Sequence, residues 1–319
     1  MKAAVFKKYG PPEVLQIEKI NAPEPLKNQM LIRNLYTAVN SGDWKLRKAD
    51  PFAVRLLFGL FKPVKSKQIL GAVFAGIVEH TGNNARGFKP GDRVFGMTGM
   101  AMGTYAEYLC VTENSPVGLI PSQISFSEAA AIPFGATTSL HFLRKANIQN
   151  GQSILIYGAS GAVGTAAIQL AKYFGAVVTA VCSASNKELV ISLGADHHMD
   201  YKDKDFALEN KRFDIVFETV NKLSFTDCIK CLKMNGVLIL GSAGISETLQ
   251  GILTNIRRRY KVIFGMVMES NEQISYIQKL TEKGTLKPVI DKIYNLEEIA
   301  EAHHYVESGH KKGNVVIKI

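Results

Sequence analysis

Short runs of β-branched and aromatic residues, separated by turn residues, dominate the first part of the chain. Turn signals such as Gly10-Pro11-Pro12 and Lys89-Pro90-Gly91-Asp92 divide these runs. Runs of this length and composition predict strands. The pattern therefore predicts a small, mostly antiparallel β domain that forms a closed or half-closed barrel. The predicted strands are 1–6, 15–20, 30–39, 72–80, 92–97 and 106–111.

The pattern changes near residue 127, where strands and helices begin to alternate. Residues 127–146 predict a helix that Ser127 caps and that Pro133 and Gly135 interrupt. Strands that then alternate with helices of ordinary length indicate a parallel, doubly wound sheet. The last forty residues return to a strand, a helix over 296–309 and a terminal strand over 314–319, which could complete the first domain. The alternating strands are 153–157, 176–182, 197–200, 213–217 and 236–240, and the helices are 165–174, 186–194 and one that ends near Met234.

Composition places this α/β chain among ordinary globular proteins. It has 319 residues, of which 46% are hydrophobic and 21% are charged. The longest apolar run, 53–61, is far shorter than the ~20 residues that a transmembrane helix needs, and it carries Arg55. The start lacks a signal-peptide pattern, and four cysteines are too few for a disulfide scaffold. We expect a cytoplasmic protein without a transmembrane segment.

The formal net charge of +10 changes this expectation little. Lys and Arg are scattered along the chain, whereas nucleic-acid binders gather their charge on one face or in arms. We expect no nucleic-acid partner. A basic surface that attracts an anionic cofactor, or the face of an acidic membrane, explains the charge equally well.

The strand at 153–157 runs directly into a glycine-rich turn and an alanine-rich helix. Gly158 permits the tight turn, Gly161 lets the backbone approach a pyrophosphate, and Gly164 lets helix and strand pack closely. The phosphates would lie over the N–H groups that open the helix. This context predicts dinucleotide binding; the alternative is a turn that needs glycine only for packing. The candidate cofactor-binding residues here are Gly158, Ser160, Gly161, Ala162, Val163 and Gly164.

The end of the second strand of the series favours NADPH over NADH. An NAD site normally places an Asp or Glu there, about 20 residues after the turn, to hold the ribose hydroxyls. Here the strand ends at Cys182, and no carboxylate appears before Glu188. The hydroxyl of Ser183 and the ammonium group of Lys187 suit a 2′-phosphate instead. The alternative is that Ser183 only caps a helix and that Lys187 is a solvated surface charge.

The chain resembles the medium-chain dehydrogenase/reductase superfamily, and within it the zinc-independent quinone oxidoreductase-like branch. The resemblance covers essentially the whole chain and is particularly close to the chloroplast-envelope type of quinone oxidoreductase homologue. It implies a GroES-like β-barrel domain over 1–120 plus 268–319 and a Rossmann NADPH-binding domain over 121–267, with the active site in the cleft between them. The matching segments are 36–47, 69–82, 87–96, 103–111, 129–140, 158–164 and 193–201.

The resemblance also implies roles for single residues. Lys187 and Tyr201 fall on positions that grip the 2′-phosphate, and Ser183 is a weaker candidate. Thr138, in a Thr-Thr-Ser turn, matches a threonine near the nicotinamide ribose. Members of the family are commonly dimers, so the resemblance leaves a monomer and a homodimer open for this chain. The nicotinamide would be held by backbone around Gly241, Ser242, Phe264 and Gly265.

No metal site is predicted. Zinc-dependent members of the superfamily carry a cysteine near the 39–43 stretch and a Gly-His-Glu sequence further on. Here 39–43 reads Val-Asn-Ser-Gly-Asp and 71–73 reads Gly-Ala-Val, so neither stretch supplies a thiolate or an imidazole. Cys228 and Cys231 form a C-x-x-C inside a predicted helix with no second pair, which favours a structural role.

Without zinc, the cofactor and the residues around the substrate must supply the chemistry. Hydride transfer to a quinone or a conjugated alkene leaves negative charge on the substrate's carbonyl oxygen, and a positioned donor stabilises that charge. Lys45 is the candidate donor, because its segment faces the cofactor in the family that the chain resembles; the alternative is a solvated surface lysine. Asn40 is predicted to orient the substrate or to hold the loop. Asp43 is predicted to be a structural partner, to Arg47.

Three features limit the detail that the resemblance carries. Val73 stands where many relatives have an aspartate, and Asn314 stands where a lysine is common, so substrate preference does not transfer directly. The loop over 51–63 is unusually apolar. A helical lid over an apolar pocket, an interfacial contact and simple packing all remain open for this loop.

These observations together predict an NADPH-dependent reductase that acts on small-molecule quinones or α,β-unsaturated carbonyls by direct hydride transfer. One alternative is an alcohol or aldehyde reductase, although simple carbonyl reduction in this superfamily normally uses a metal as Lewis acid. The other alternative is a protein that binds NADPH without turnover, as a sensor or scaffold, because fold does not fix function.

Overall fold

The computed structural model describes residues 1–85, 87–112, 114–202, 212–256 and 259–319. The chain divides into two compact units. The first unit reaches Phe134, beyond the boundary predicted at residue 120. The second unit is a doubly wound α/β structure, as the alternating pattern predicts. The first unit comprises Met1–Phe134, Glu269–Gly284 and Pro288–Ile319, and the second comprises Gly135–Met268 and Thr285–Lys287.

The first unit is built on antiparallel strands, with one parallel pair between its last two strands. The longest strand, β3, alternates buried and more exposed residues, so that Met30 and Ile32 enter the core. One sheet pairs β1 with β2, and the larger sheet has the order β14-β15-β3-β4-β5-β7, with β6 also on β3. The strands are β1 Lys2–Phe6, β2 Leu15–Lys19, β3 Gln29–Val39, β4 Val73–Thr81, β5 Arg93–Met97, β6 Tyr108–Thr112, β7 Val117–Leu119, β14 Ile290–Asn295 and β15 Asn314–Lys318.

Helices of the first unit pack on these sheets through short apolar faces. In α10, the residues Ile299, Ala302, His303 and Val306 recur at helical spacing and are all buried. The helices are α1 Ser41–Lys48, α2 Val54–Phe58, α3 Phe126–Ala130, α9 Asn271–Glu282 and α10 Ile299–Glu307, with short 3₁₀ turns at Pro12–Val14, Lys65–Lys67, Gly99–Ala101 and Leu296–Glu298.

The second unit contains a parallel sheet with helices between its strands. Among the described residues the strand order is β10-β9-β8-β11-β12-β13, which numbers as 3-2-1-4-5-6 within the unit. This is the strand order of a Rossmann sheet, and the point at which the order of strands reverses lies between β8 and β11. The strands are β8 Ser153–Tyr157, β9 Val177–Cys182, β10 His197–Asp200, β11 Phe213–Glu218, β12 Leu232–Leu240 and β13 Lys261–Ile263; the helices are α4 Pro133–Ala146, α5 Ala162–Tyr173, α6 Lys187–Ser192, α7 Phe225–Lys230 and α8 Ile245–Ile256, with a 3₁₀ turn at Ala184–Asn186.

Two local predictions were wrong. The helix expected to end near Met234 stops at Lys230, because β12 starts at Leu232 and bulges opposite the start of β11. The cap of the helix after residue 124 is Ser125 and not Ser127: the backbone N–H of Glu128 donates to the Ser125 hydroxyl at 3.2 Å. The interruption predicted in that segment is present, since α3 and α4 are separate helices.

Candidate cofactor and substrate sites

The glycine-rich turn after β8 requires glycine at its first position. Gly158 has a φ of +78°, and a Cβ there would lie 2.5 Å from the hydroxyl oxygen of Thr219. That hydroxyl in turn donates to the carbonyl oxygen of Tyr157 at 2.8 Å. The turn is therefore closed on one side by the residues that follow β11, and no L side chain fits at Gly158 without rearrangement.

The other two glycines of the turn differ in what surrounds them. A Cβ on Gly164 would lie 2.3 Å from the carbonyl oxygen of Gly158, so this glycine lets α5 pack directly on the turn. A Cβ on Gly161 would have its nearest neighbour at 3.5 Å, and its φ of −80° carries no strain. The backbone at Gly161 is thus open on the side where an approaching pyrophosphate would lie. The first backbone N–H groups of α5 have no hydrogen-bond partner within the helix and point out of its N-terminus, towards the glycine-rich turn.

Helix α4 packs against the start of α5 and brings Thr138 to this region. A Cβ on Gly135 would lie 2.2 Å from the carbonyl oxygen of Ala162, and the Ser139 hydroxyl donates to the carbonyl oxygen of Val163 at 2.9 Å. Thr138 is buried within α4, and the turn predicted for it is absent. Gly135 was not predicted from the sequence, although a glycine inside a helix is a signal of close packing.

The loop after β9 carries the residues predicted to bind the 2′-phosphate. Lys187 and Tyr201 are both exposed, and Ser183 is half-buried. Since β10 lies beside β9 with Asp200 opposite Cys182, the loop and the residue before Tyr201 meet. The structure makes this contact directly: the backbone N–H of Ala184 donates to Asp200 Oδ2 at 2.8 Å.

Asp200 is a carboxylate in this loop region that was not predicted from the sequence. It accepts hydrogen bonds from the backbone N–H groups of Ala184 and Lys202, and the second of these most strongly lowers its pKa. Its oxygens are therefore engaged in shaping the loop. We assign Asp200 to loop structure and not to the ribose hydroxyls.

Asn186 connects the two parts of the candidate cofactor site and was also missed. Its side-chain N–H donates to the Ser160 hydroxyl at 3.0 Å, which ties the loop after β9 to the glycine-rich turn. The residue is buried, and its Oδ1 has no hydrogen-bond partner among the described residues. A buried amide oxygen without a partner is costly unless a ligand or water satisfies it. The only signal for Asn186 in the sequence was its position next to Lys187.

The remaining candidate segments lie at the same edge of the sheet. Gly241 follows β12, and its N–H donates to the carbonyl oxygen of Glu218 at 2.8 Å. Phe264 and Gly265 follow β13, and Gly265 has a φ of +116°. In an open parallel sheet, ligands bind beyond the carboxyl ends of the strands at the reversal of strand order. Gly241, Ser242, Phe264 and Gly265 all fall at these ends, as does the glycine-rich turn.

In the first unit, Asn40 links β3 to α1, and Asp43 is bound to it. Asp43 Oδ2 accepts from the backbone N–H of Asn40 at 2.7 Å, and the Gly71 N–H and Tyr105 hydroxyl also hydrogen-bond this carboxylate. Burial raises the pKa of Asp43 to about 7 in spite of these bonds. The pairing predicted between Asp43 and Arg47 was wrong: the Arg47 guanidinium binds Glu307 at 2.6 Å.

A buried chain of polar groups extends from Asp43 into α10. The ring nitrogen Nε2 of His303 lies 3.2 Å from the Tyr105 hydroxyl, and both side chains are fully buried. Burial lowers the pKa of His303 to about 3, so the ring is neutral near neutral pH. Arg47, also fully buried, donates to the carbonyl oxygen of Gly10 at 3.1 Å. These bonds fix α1 between the N-terminal segment and α10.

Lys45 and Trp44 lie on this fixed helix. Lys45 is half-buried, and its Nζ lies 5.8 Å from the centre of the Trp44 ring; Lys48 Nζ lies 5.7 Å from the same ring. Asn314 comes next to Asn40 across the β15–β3 pair, because Val315 is opposite Val39. The Asn314 side chain donates to the carbonyl oxygen of Val289 at 3.1 Å.

The residues of the first unit do not fit a zinc ion at this position. Asn40 and Ala72 supply neither a thiolate nor an imidazole, and the Asp43 carboxylate is bound by three hydrogen-bond donors. The described residues contain no group of three His, Cys, Asp or Glu side chains arranged to hold a metal. Cys228 and Cys231 are both buried, and burial raises the pKa of each thiol, which supports a structural role.

Comparisons with known proteins identify similar sequences for most of the chain. The family model described as alcohol dehydrogenase GroES-like domain matches residues 26–122, and the one described as zinc-binding dehydrogenase matches residues 193–317. A 2-methylene-furan-3-one reductase from Solanum lycopersicum is 33% identical over 99% of this chain and 79% of its own length. A chloroplast envelope quinone oxidoreductase homolog from Arabidopsis thaliana is 29% identical over 100% of this chain and 98% of its own length.

Solved structures extend the same similarity to the fold. The quinone oxidoreductase from Coxiella burnetii superposes with a TM-score of 0.91 at 30% identity, covering 100% of this chain and 99% of that one. The GroES-like and Rossmann assignments predicted from the sequence are confirmed. In the part of the chain that the structure describes, helices of the length and apolarity needed to cross a bilayer are absent.

Proposed function

The chain belongs to the medium-chain dehydrogenase/reductase superfamily, and from this membership we propose that it is an NADPH-dependent oxidoreductase that reduces quinones or α,β-unsaturated carbonyls without zinc. The observation that carries the proposal is the glycine-rich turn, whose backbone at Gly161 is open and which Asn186 ties to a lysine-bearing loop. The substrate class rests on relatives: the tomato relative is named for an unsaturated ketone, and the Coxiella structure for a quinone.

NADPH would be held along the carboxyl edge of the second unit's sheet. Gly161 and the first N–H groups of α5 would receive the pyrophosphate. Lys187 is exposed and makes no ion pair among the described residues, so its ammonium group is available for a 2′-phosphate. The adjacent carboxylate, Asp200, is bound to backbone N–H groups and so does not compete for the ribose. Tyr201 and Ser183 would add hydroxyl groups at the same place.

The buried amide of Asn186 would complete this site. Its Oδ1 has no partner among the described residues and would accept a hydrogen bond from a hydroxyl of the adenosine ribose, while its side-chain N–H donates to the Ser160 hydroxyl. Thr138 on α4 would face the nicotinamide ribose, and backbone at Gly241, Ser242, Phe264 and Gly265 would hold the nicotinamide. Reduced NADPH, when bound, supplies a hydride from its nicotinamide ring.

The first unit would stabilise the charge that the reaction leaves on the substrate. When a conjugated carbonyl accepts a hydride, negative charge develops on its oxygen, and a nearby ammonium group lowers the barrier. We assign this role to Lys45, which lies on a helix that is held at its start by the Asn40–Asp43 hydrogen bond and in its last turn by the Arg47–Glu307 ion pair. Asn40, at the start of the same helix, would orient the carbonyl or hold the loop. A zinc ion takes no part, because the local donor set does not suit one.

The proposal is tested by NADPH consumption with purified, EDTA-dialysed protein against quinones, alkenones and simple aldehydes, with NADH in parallel. We expect oxidation with quinones or alkenones and a preference for NADPH. Turnover restricted to simple aldehydes, or turnover that requires added zinc, would replace the proposal with an alcohol or aldehyde reductase. Tight NADPH binding with no turnover on any acceptor would replace it with a non-catalytic, cofactor-binding role. A homodimer and a cytoplasmic location remain part of the proposal.

A further inference from the structure

A loop of the first unit, residues 52–65, exposes an unusual number of large apolar side chains. Phe61 is 87% exposed, Leu56 is 76% exposed and Leu57 is 71% exposed. Contiguous apolar surface of this kind marks contact sites on proteins that otherwise bury such residues. We call residues 52–65 the apolar loop. Its exposed apolar side chains are Phe52, Leu56, Leu57, Leu60, Phe61 and Val64.

The apolar loop is held in this exposed arrangement by contacts with the core. Within the single turn of α2, Val54 and Phe58 are four residues apart and face the core, where Phe58 is 1% exposed. Leu56 and Leu57 therefore face outward. The loop returns on itself after Gly59, as the N–H of Val64 donates to the carbonyl oxygen of Phe58 at 2.8 Å.

Tyr9, which follows β1, also holds the apolar loop in place. The Tyr9 hydroxyl donates to the carbonyl oxygen of Gly59 at 2.7 Å, and the Arg55 guanidinium lies over the rings of both Tyr9 and Phe52, at 4.9 and 5.0 Å. Arg55 thus connects the start of the loop to the protein. The apolar side chains are therefore exposed even though several contacts hold the loop against the protein.

Positive charge surrounds the apolar loop, and negative charge is missing from it. Between Asp50 and Glu79 the sequence contains no Asp or Glu. Lys62 and Lys65 are exposed and make no ion pair with any described residue. Arg55 and Lys67 lie further in, where Lys67 donates to the carbonyl oxygen of Met100 at 2.5 Å.

We infer that the apolar loop docks on the surface of an anionic lipid bilayer. Aromatic and aliphatic side chains beside lysines are the composition of segments that lie in the bilayer interface, where the apolar groups enter the acyl boundary and the cations meet the headgroups. The cores of protein–protein interfaces are instead depleted in lysine. The net charge of +10 adds attraction to an anionic surface at longer range.

The chain offers an internal comparison for this assignment. Helix α8 also exposes apolar side chains, with Leu249 57% exposed and Ile256 69% exposed. It lies in the second unit, outside the apolar loop. The sequence directly after α8 is also basic, with Arg257, Arg258, Arg259 and Lys261. Helix α8 is therefore the strongest competing contact for an anionic vesicle, and variants in each region distinguish the two.

Co-sedimentation of the full-length protein with vesicles tests the inference. One set contains phosphatidylcholine alone, and the other contains phosphatidylcholine with 30 mol% phosphatidylserine. At about 0.1 M salt we expect binding to the anionic vesicles that is at least about tenfold tighter than binding to the neutral ones, because headgroup attraction adds up over several cations. Raising the salt to about 0.5 M should remove most of this difference. Equal or absent binding to the two sets overturns the inference.

Three variants separate the two components of the docking surface. Leu57→Ser with Phe61→Ser removes apolar contact, and Lys62→Glu with Lys65→Glu reverses the local charge. Each double variant should weaken binding to anionic vesicles at least about tenfold, while the control, Leu249→Ser with Ile256→Ser, should bind as the unmodified protein does. Melting temperature and NADPH affinity serve as checks that each variant is folded.

Other roles of the apolar loop would give different results. If Leu57→Ser with Phe61→Ser abolishes self-association in sedimentation velocity and leaves vesicle binding unchanged, the loop is an interface between two copies of the chain. If the same variant lowers turnover with water-soluble acceptors and vesicle binding is unchanged, the loop is a substrate lid. If the control loses binding as strongly as the loop variants, the apolar loop has no specific role. Each of these results overturns the inference.

Discussion

We expect cofactor preference to depend most on the side chain of Lys187. An exposed ammonium group beside a 2′-phosphate forms a charge-assisted hydrogen bond that NADH does not have. We expect Lys187→Ala to raise the KM for NADPH by about 10- to 100-fold, in line with about 1.5–3 kcal/mol for such a bond, and to change the KM for NADH little. Steady-state kinetics with both cofactors measures this.

Lys202 is a matched control for Lys187, because it is also exposed and follows Tyr201 directly. Lys202→Ala should leave the ratio of the two KM values within about twofold of the original. An equal loss with NADH and NADPH in Lys187→Ala would place the lysine outside the 2′-phosphate site.

Lys45 is predicted to act on the reaction step and not on cofactor binding. In Lys45→Met the long apolar side chain is kept and the charge is lost, so kcat should fall by about 10²-fold or more while the Kd for NADPH stays unchanged. Lys48→Met is the control, since Lys48 Nζ lies at 5.7 Å from the same Trp44 ring that Lys45 Nζ approaches at 5.8 Å. A kcat that Lys45→Met leaves unchanged would remove the donor role.

His303 makes the stability of the fold depend on pH in a defined direction. Its pKa is about 3 in the folded protein, against 6.5 for an unperturbed histidine. The unfolded chain therefore binds a proton that the folded chain does not, and this destabilises the fold progressively as the pH falls below 6.5. At pH 5 the loss is about 2 kcal/mol, from about 1.4 kcal/mol for each pH unit.

The contribution of His303 is isolated by comparing the free energy of unfolding of the original protein and His303→Gln at pH 7.5 and pH 5. The difference is needed because Asp43, with a pKa raised to about 7, acts in the opposite direction: its burial destabilises the fold at neutral pH, and this cost disappears as the pH falls. His304→Gln is the control, as His304 is exposed. A pH dependence that is the same in His303→Gln and the original protein would contradict the assignment.

At the level of elements, two glycines of the glycine-rich turn are expected to serve different purposes, Gly161 in cofactor binding and Gly164 in packing. Gly161→Ala adds a Cβ whose nearest neighbour is 3.5 Å away, so the fold should tolerate it while the pyrophosphate loses its close approach. We expect an NADPH Kd at least about tenfold higher and an unchanged melting temperature.

Gly164→Ala adds a Cβ 2.3 Å from the Gly158 carbonyl oxygen and should lower the free energy of unfolding by about 1–3 kcal/mol. Calorimetry and thermal melts measure both; Gly161→Ala with unaltered NADPH binding would contradict the account.

The elements were predictable wherever periodicity alone determines them. The strand at 153–157 matches β8 residue for residue. A short apolar run between turn signals is typical of a strand that is buried on both faces of a parallel sheet. The end near Met234 was missed because β12 begins with an exposed, bulged stretch over Lys233, Met234 and Asn235. A stretch this short does not distinguish a strand from the last turn of a helix. The short strand β7, Val117–Leu119, was also missed, because three residues carry no detectable period.

At the scale of the whole molecule, the two units differ in how far their sites were readable from the sequence. In the second unit most of the candidate cofactor site lies in a single short segment, so glycine spacing and strand context predict it from the sequence. In the first unit the groups that fix α1 come from distant parts of the chain: Tyr105 and His303 are 198 residues apart. Local patterns do not report such pairs, which is why Asp43 was assigned to Arg47.

The central claim is that this protein transfers a hydride to a carbon conjugated with a carbonyl group, without a metal. The most direct test uses EDTA-dialysed protein, an alkenone and NADPH that carries deuterium at each of the two C4 positions of the nicotinamide in turn. We predict a saturated ketone that carries deuterium on the carbon β to the carbonyl, from one of the two labelled cofactors only. Deuterium on the carbonyl carbon of an allylic alcohol, or a product without label from either cofactor, would contradict it.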